Sequence, residues 1–201
     1  NPLSTDTDND GSPDNVDAFP LNSAETTDTD GDGLGNNADP DDDNDGVADA
    51  SDAFPLDASE SADNDGDGIG NNADPDDDND GLSDTAEATA GTDPFDSDSD
   101  NDGLTDGQEA TLGTNPLTGD SDGDGLGDKA EVDLHSNPLN PDTDGDGLND
   151  GAEIAAGTNL LDSDTADDGV SDGTDPTPTE AGVPADFIED SLGSLCAYLD
   201  T

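Results

Sequence analysis

Positive charge is almost missing from this chain of 201 residues: a single Lys or Arg stands against 57 Asp and Glu, for a formal net charge of −56. Aromatic residues make up 2% and hydrophobic residues 26%, with neither Met nor Trp. Such a chain cannot bury enough apolar surface to offset its conformational entropy, and composition alone reads as disorder. The one cysteine, Cys196, excludes an intrachain disulfide, so the staples of a core-poor secreted domain are missing too. No apolar run approaches the length of a membrane span. So acidic a surface repels nucleic acid and anionic lipid. What is left as a source of folding energy is bound cation.

The residues that are abundant are arranged for that purpose. In Asp142-Thr-Asp-Gly-Asp-Gly-Leu-Asn-Asp-Gly-Ala-Glu153, acids occupy positions 1, 3, 5, 9 and 12, Gly occupies position 6, and an apolar residue occupies position 7. A hard divalent cation takes six to eight oxygens. The alternating carboxylates supply the first part of that shell, the glycine allows a sharp turn, and the position-7 carbonyl and position-12 acid close it. The chemistry is that of calcium, with at least one ion per repeat. Nine such loops occur, with position-6 glycines at 11, 33, 46, 68, 81, 103, 125, 147 and 169. A random acidic polymer has no need of glycine at a fixed offset. The candidate ligands of the first loop are Asp6, Asp8, Asp10, Ser12, Asp14 and Asp17; Ser12 and the following Pro13 make it irregular. Next come Asp28, Asp30, Asp32, Leu34, Asn36 and Asp39, then Asp41, Asp43, Asp45, Val47, Asp49 and Asp52. The second pair comprises Asp63, Asp65, Asp67, Ile69, Asn71 and Asp74, with Asp76, Asp78, Asp80, Leu82, Asp84 and Glu87. Three regular loops follow: Asp98, Asp100, Asp102, Leu104, Asp106 and Glu109; Asp120, Asp122, Asp124, Leu126, Asp128 and Glu131; Asp142, Asp144, Asp146, Leu148, Asp150 and Glu153. The last has Asp164, Asp168, Val170, Asp172 and Asp175, with Ala166 where the position-3 acid belongs, which predicts a weaker or water-completed site.

Glycine-to-glycine steps alternate between 22 and 13 in the first half and settle at 22 in the second, the mark of a repeat array whose units contact mainly their neighbours. Residues 1–27 hold the irregular loop and a Phe-Pro spacer, 28–97 the paired loops, 98–175 the regular repeats, and 176–201 a Pro-rich junction with an apolar end. Ala18-Phe19-Pro20-Leu21 returns as Ala53-Phe54-Pro55-Leu56, read as small packing plugs. Pro40 and Pro75 hold the paired loops apart from helix, and Asp42 and Asp77 are spare position-2 carboxylates that either bridge a second ion or face solvent. The segments from Glu87 to Gly91, Glu109 to Gly113 and Glu153 to Gly157 predict short helical turns closed by a left-handed glycine. His135 stands where those units have Gly, which makes it a C-cap substitute in the left-handed region rather than a metal ligand. The apolar position-7 side chains are expected to turn inward as the nearest thing to a core. Ile188, Leu192, Leu195 and Leu199 have helical spacing, so residues 187–199 are expected to cap the array, dock on another copy of the chain or lead into flanking domains; Cys196 is read as packing. The chain begins at Asn1 without Met and is read as a processed or excised segment, which leaves its targeting illegible.

The acids at positions 1, 3, 5, 9 and 12, the Gly-apolar pair and the Thr-Asp-Pro spacers resemble thrombospondin type 3 repeats of the bacterial kind over about residues 6–175. The resemblance implies an irregular calcium-stabilised repeat array, with little regular secondary structure and short helical turns between EF-hand-like loops. It implies secreted or cell-surface proteins in which such arrays connect adhesive or outer-membrane domains, and motifs that sometimes hold paired ions. Single loops also resemble dockerins, which use two loops and substantial helices rather than nine loops. The function expected is a calcium-rigidified extracellular spacer or stalk, with a self-assembling calcium-dependent surface-fibre subunit as the alternative. Neither a Ser-His-acid set nor a distinguishable acid–base pair stands out, so no enzyme is expected.

Overall fold

A computed structural model describes residues 5–181; the apolar end at 187–199 and Cys196 lie outside the described residues. The contacts divide the chain into two units, one of residues up to 79 with 83–89 and 93–95, the other of 80–82, 90–92 and 96 onward. Among the described residues no strand forms. Regular structure is confined to one 3-10 turn, Asp49–Ser51, and four helices of equal length: α1 Asp84–Ala90, α2 Asp106–Leu112, α3 Asp128–Leu134 and α4 Asp150–Ala156. The chain is an irregular repeat array.

Each helix starts earlier than the expected turn, at the position-9 acid rather than at the position-12 Glu. An acid in the first turn sits well against the helix dipole, but seven residues cannot hold a helix by themselves. The start is fixed from outside. In all nine loops the position-9 amide donates to the carbonyl of the residue just before position 1, at 2.9–3.1 Å, from Asp14 to Thr5 through Asp172 to Ser163. The position-9 side chain in turn accepts the position-2 amide, at 2.7–3.1 Å. Where position 2 is Thr7, Ser99, Ser121, Thr143 or Thr165, its hydroxyl adds a second bond at 2.6–2.7 Å. The loop is buckled at both ends of its turn before any ion is considered. Helices α2 and α4 stop at Gly113 and Gly157 in the left-handed region, and Gly91 after α1 has φ 89.

The core is inverted. Among the described residues only Leu104 and Leu160 are buried large hydrophobics, whereas Glu109, Glu131, Glu153, Asp106, Asp128 and Asp150 are completely enclosed. The position-7 row is therefore not the continuous core that its apolar character suggests. Leu104 is buried, but Leu34 and Ile69, whose own loops run into no helix, are exposed. Apolar contact between regular repeats comes instead from the spacers. Leu139 lies 3.7 Å from where a Cβ on Gly113 would stand, at the C-terminal end of α2 in the preceding repeat.

His135 ends α3 at φ 67 and ψ 22, as its alignment with the glycines predicts. A left-handed L-residue costs roughly 1–2 kcal/mol that glycine avoids. His135→Gly should stabilise the end of α3 by about 1 kcal/mol, read as slower hydrogen exchange of the α3 amides in calcium. Faster or unchanged exchange would show that the imidazole, whose Nδ1 lies 3.1 Å from the Asp133 carbonyl, makes up the difference.

Candidate metal centres

Each loop folds by using its own carboxylates as turn acceptors. The position-1 acid accepts amides from positions 4 and 6: Asp142 accepts Gly145 at 2.8 Å and Gly147 at 3.0 Å, and Asp120 accepts Gly123 at 2.7 Å and Gly125 at 3.2 Å. Oδ1 of the position-3 acid accepts the position-5 amide, and Oδ1 of the position-5 acid accepts the position-7 amide, as in Asp144 to Asp146 to Leu148. This wrapping draws the acids together. Asp6, Asp8 and Asp10 bring one carboxylate oxygen each within 4.8 Å of one another, as do Asp28, Asp30 and Asp32, Asp41, Asp43 and Asp45, and Asp63, Asp65 and Asp67.

The path requires left-handed backbone twice. Position 6 has φ of 93 to 103 in all nine loops. Position 4 is left-handed as well, and holds only Asn, Gly or, at Asp167, Asp, the residues that tolerate this region. Asp167 thereby belongs to the turn of the last loop, whose Asp164 accepts the amides of Asp168 and Gly169. Position 4 escaped the sequence reading, although its restriction to Asn, Gly and Asp was there to be seen.

Once these bonds are made, particular oxygens remain. Oδ2 of the position-3 acids Asp8, Asp43, Asp100, Asp122 and Asp144 is buried without a hydrogen-bond partner. So are position-12 oxygens: Oδ2 of Asp17, Asp52 and Asp175, Oε2 of Glu109 and Glu153, and both oxygens of Glu131. The two sets meet. Asp100 is the charged group that acts most strongly on Glu109, as Asp122 is on Glu131 and Asp144 on Glu153. Burial first, and these neighbouring carboxylates second, push Glu109 and Glu153 up to about 7 and Glu131 to about 8. Burial also raises Asp100, Asp122 and Asp144. Glu131 stands highest for a visible reason. Thr114 and Thr158 donate hydroxyl bonds to Glu109 and Glu153, whereas the corresponding Ser136 gives Glu131 none. Buried anions are stable only when paired or coordinated to metal. The chain's one Lys or Arg, Lys129, is engaged with Asp133 at the surface. A cation bound by oxygen fits this donor set.

The paired loops differ in detail. Asn44 Nδ2 donates to Oδ2 of Asp30, and Asn79 Nδ2 to Oδ2 of Asp65, which ties each second loop to its first. Asp77 is buried, its Oδ1 has no partner, and its neighbours Asp84, Asp74, Asp65 and Glu60 are all acidic. Asp42 is placed the same way near Asp49, Asp39 and Asp30. Glu25 and Glu60 were not foreseen. Both are buried, and they accept the amides of Asn37 and Asn72 at 3.0 Å. A Cβ on Gly35 would fall 2.3 Å from Oε2 of Glu25, so glycine at position 8 makes room for it. Their common offset, three residues before Asp28 and Asp63, was the available signal.

These features define an array of acidic, glycine-turned metal loops. The bacterial TSP3 repeat family matches four consecutive segments, residues 76–97, 98–119, 120–141 and 142–162. Residues 76–162 thus match the family that the sequence pattern resembles, four times in succession. The loops from Asp6 to Asp74 precede these matches and share their left-handed turns and position-9 clamp. No curated protein matches the chain.

The raised carboxyls give a pH dependence of definite sign. In the metal-free fold, Glu109, Glu131 and Glu153 keep their protons to about pH 7–8; in the unfolded chain they lose them near 4.5. The fold then binds more protons than the unfolded chain, and the metal-free repeats lose stability as pH rises through that window. Calcium takes the ionised form, so its apparent affinity should fall by roughly tenfold or more from about pH 8 to about pH 5.5. Calcium titration of the whole chain at several pH values checks this; a flat affinity would contradict it.

Proposed function

We propose that this chain is a calcium-rigidified spacer or stalk of a secreted or cell-surface protein, without catalytic activity. The observation that carries the reading is the paired set of buried oxygens at positions 3 and 12, which no basic side chain neutralises. Acids at positions 1, 3, 5 and 12 and the position-7 carbonyl would hold the ion, with the position-9 acid setting the frame. Calcium supplies the positive charge that lets these carboxylates stay ionised inside the fold. At least one ion per repeat is needed, and the acidic surroundings of Asp42 and Asp77 call for more in the paired loops. Sites built from hydrated, glycine-rich loops suit millimolar calcium outside cells. Among the described residues no helix is long and apolar enough to cross a membrane.

A stalk of this kind should exist only with its ion. Small-angle scattering of the chain in millimolar calcium should give a folded profile, and chelator should convert it to that of an expanded coil. A profile unchanged by chelation would overturn the calcium-supported spacer.

A further inference from the structure

Four position-5 acids each hold an amide that belongs to the next repeat. Oδ2 of Asp80 accepts Gly107 N at 2.6 Å, Asp124 accepts Gly151 N at 2.8 Å, and Asp146 accepts Gly173 N at 2.7 Å. In each case the donor stands at position 10 of the following loop, 27 residues on. The other oxygen of the same carboxylate accepts its own loop's position-7 amide, at 2.6 Å from Leu82, 2.7 Å from Leu126 and 2.7 Å from Leu148. The orientation of a cage carboxylate is thereby set half from its own loop and half from its C-terminal neighbour.

The approach leaves no room for a side chain. A Cβ on Gly107 would lie 2.5 Å from the Asp80 carbonyl oxygen; on Gly151 and Gly173 it would lie 2.7 Å from those of Asp124 and Asp146. The fourth junction is a natural exception. Lys129 occupies position 10 there, its amide lies 3.4 Å from Oδ2 of Asp102, and its stem packs 3.5 Å from the Cβ site of Gly103. Side-chain bulk and a long bond occur together. In the paired loops the following loop instead reaches the position-3 acid, through Asn44 on Asp30 and Asn79 on Asp65. There the position-10 amides of Asn37 and Asn72 go to Glu25 and Glu60, from the preceding spacers.

From this we infer that position 10 of each regular repeat acts as a positioning residue for the calcium cage of the repeat before it, which couples neighbouring cages. The inference rests on the calcium reading above. A hydrogen bond that orients a ligand carboxylate raises that loop's metal affinity, so a side chain that lengthens the bond from position 10 of repeat n+1 weakens loop n. The junction at Lys129 is the weak one, which leaves the loop of Asp102 the least supported by its successor.

The test follows individual loops in the whole chain, using the amide resonances of the position-6 glycines during calcium titration. Gly151→Ala should raise the calcium midpoint of Gly125 by roughly tenfold, as for loss of one bond to a charged group, and leave Gly147 within about twofold although residue 151 lies in the Gly147 loop. Lys129→Gly should lower the midpoint of Gly103, a gain that general damage cannot mimic. A shift of Gly147 alone, an equal shift of every glycine, or an unmoved Gly103 in Lys129→Gly would overturn the coupling. Glycine resonances that ignore calcium in the unaltered chain would instead overturn the calcium reading, a failure separable from the first.

Discussion

Burial of carboxylates that the protein cannot neutralise is the constraint on which this structure depends. In a typical domain the interior is apolar and charges stay outside. Here the enclosed side chains are Glu109, Glu131 and Glu153 with the helix-starting acids beside them, and the apolar residues Leu112, Leu117, Leu134 and Leu139 are the partly exposed ones. The two kinds of buried acid are handled differently. Asp106, Asp128 and Asp150 are satisfied by amides and hydroxyls of position 2, so they build the frame. Glu109, Glu131 and Glu153 at position 12 and Asp100, Asp122 and Asp144 at position 3 retain oxygens without partners, so they generate the demand for cation. Frame and demand are separate sets of atoms, which is why one loop design survives the exchange of position 9 from Asp to Asn in the loops of Asp28 and Asp63.

Much of the site was legible in the sequence because its chemistry fixes residue identity. Acids at positions 1, 3, 5 and 12 and the glycine at 6 follow from an oxygen cage around a sharp turn, and His135 as a left-handed cap follows from its alignment with Gly113 and Gly157. Other features were hidden for physical reasons. The clamp between positions 2 and 9 uses a main-chain amide, so position 2 can be Ser, Thr, Asp or Asn and offers no constant signal. Glu25 and Glu60 lie outside the twelve-residue loop and act through space on Asn37 and Asn72. The helices begin before Glu109, Glu131 and Glu153 because the buckle at position 9, rather than the position-12 acid, sets the first turn. The apolar character of Leu34 and Ile69 misled: no helix follows their loops, and both side chains stay exposed.

Connections between regular repeats are thin, and Asn149 Nδ2, which donates to the Asp124 carbonyl at 3.2 Å, is one of them. Spacer leucines such as Leu139 touch the glycine end of the helix in the preceding repeat, and the position-5 acids grip amides of the following repeat. None of these contacts reaches beyond the adjacent repeat, as a stack of small units requires. Stability in such an array is set repeat by repeat rather than by a shared apolar core. The regular repeats and the paired loops before them share the frame but differ in how it is joined: cross-repeat amides in the former, Asn44, Asn79 and the spacer glutamates in the latter.

The central claim is that the position-12 carboxylate opposes the fold unless a cation is bound, and Glu131 tests it most directly because neither of its oxygens has a partner. Glu131→Gln keeps the shape and removes the charge. Hydrogen exchange of the α3 amides should be compared at about pH 8, above the ordinary carboxylate range, in calcium and in chelator. The account predicts faster exchange for the variant in calcium, where a ligand is lost, and exchange no faster than the unaltered chain in chelator, where a buried charge is relieved. A variant that exchanges faster under both conditions would mean that Glu131 holds the repeat together by contacts within the protein, and would contradict the account.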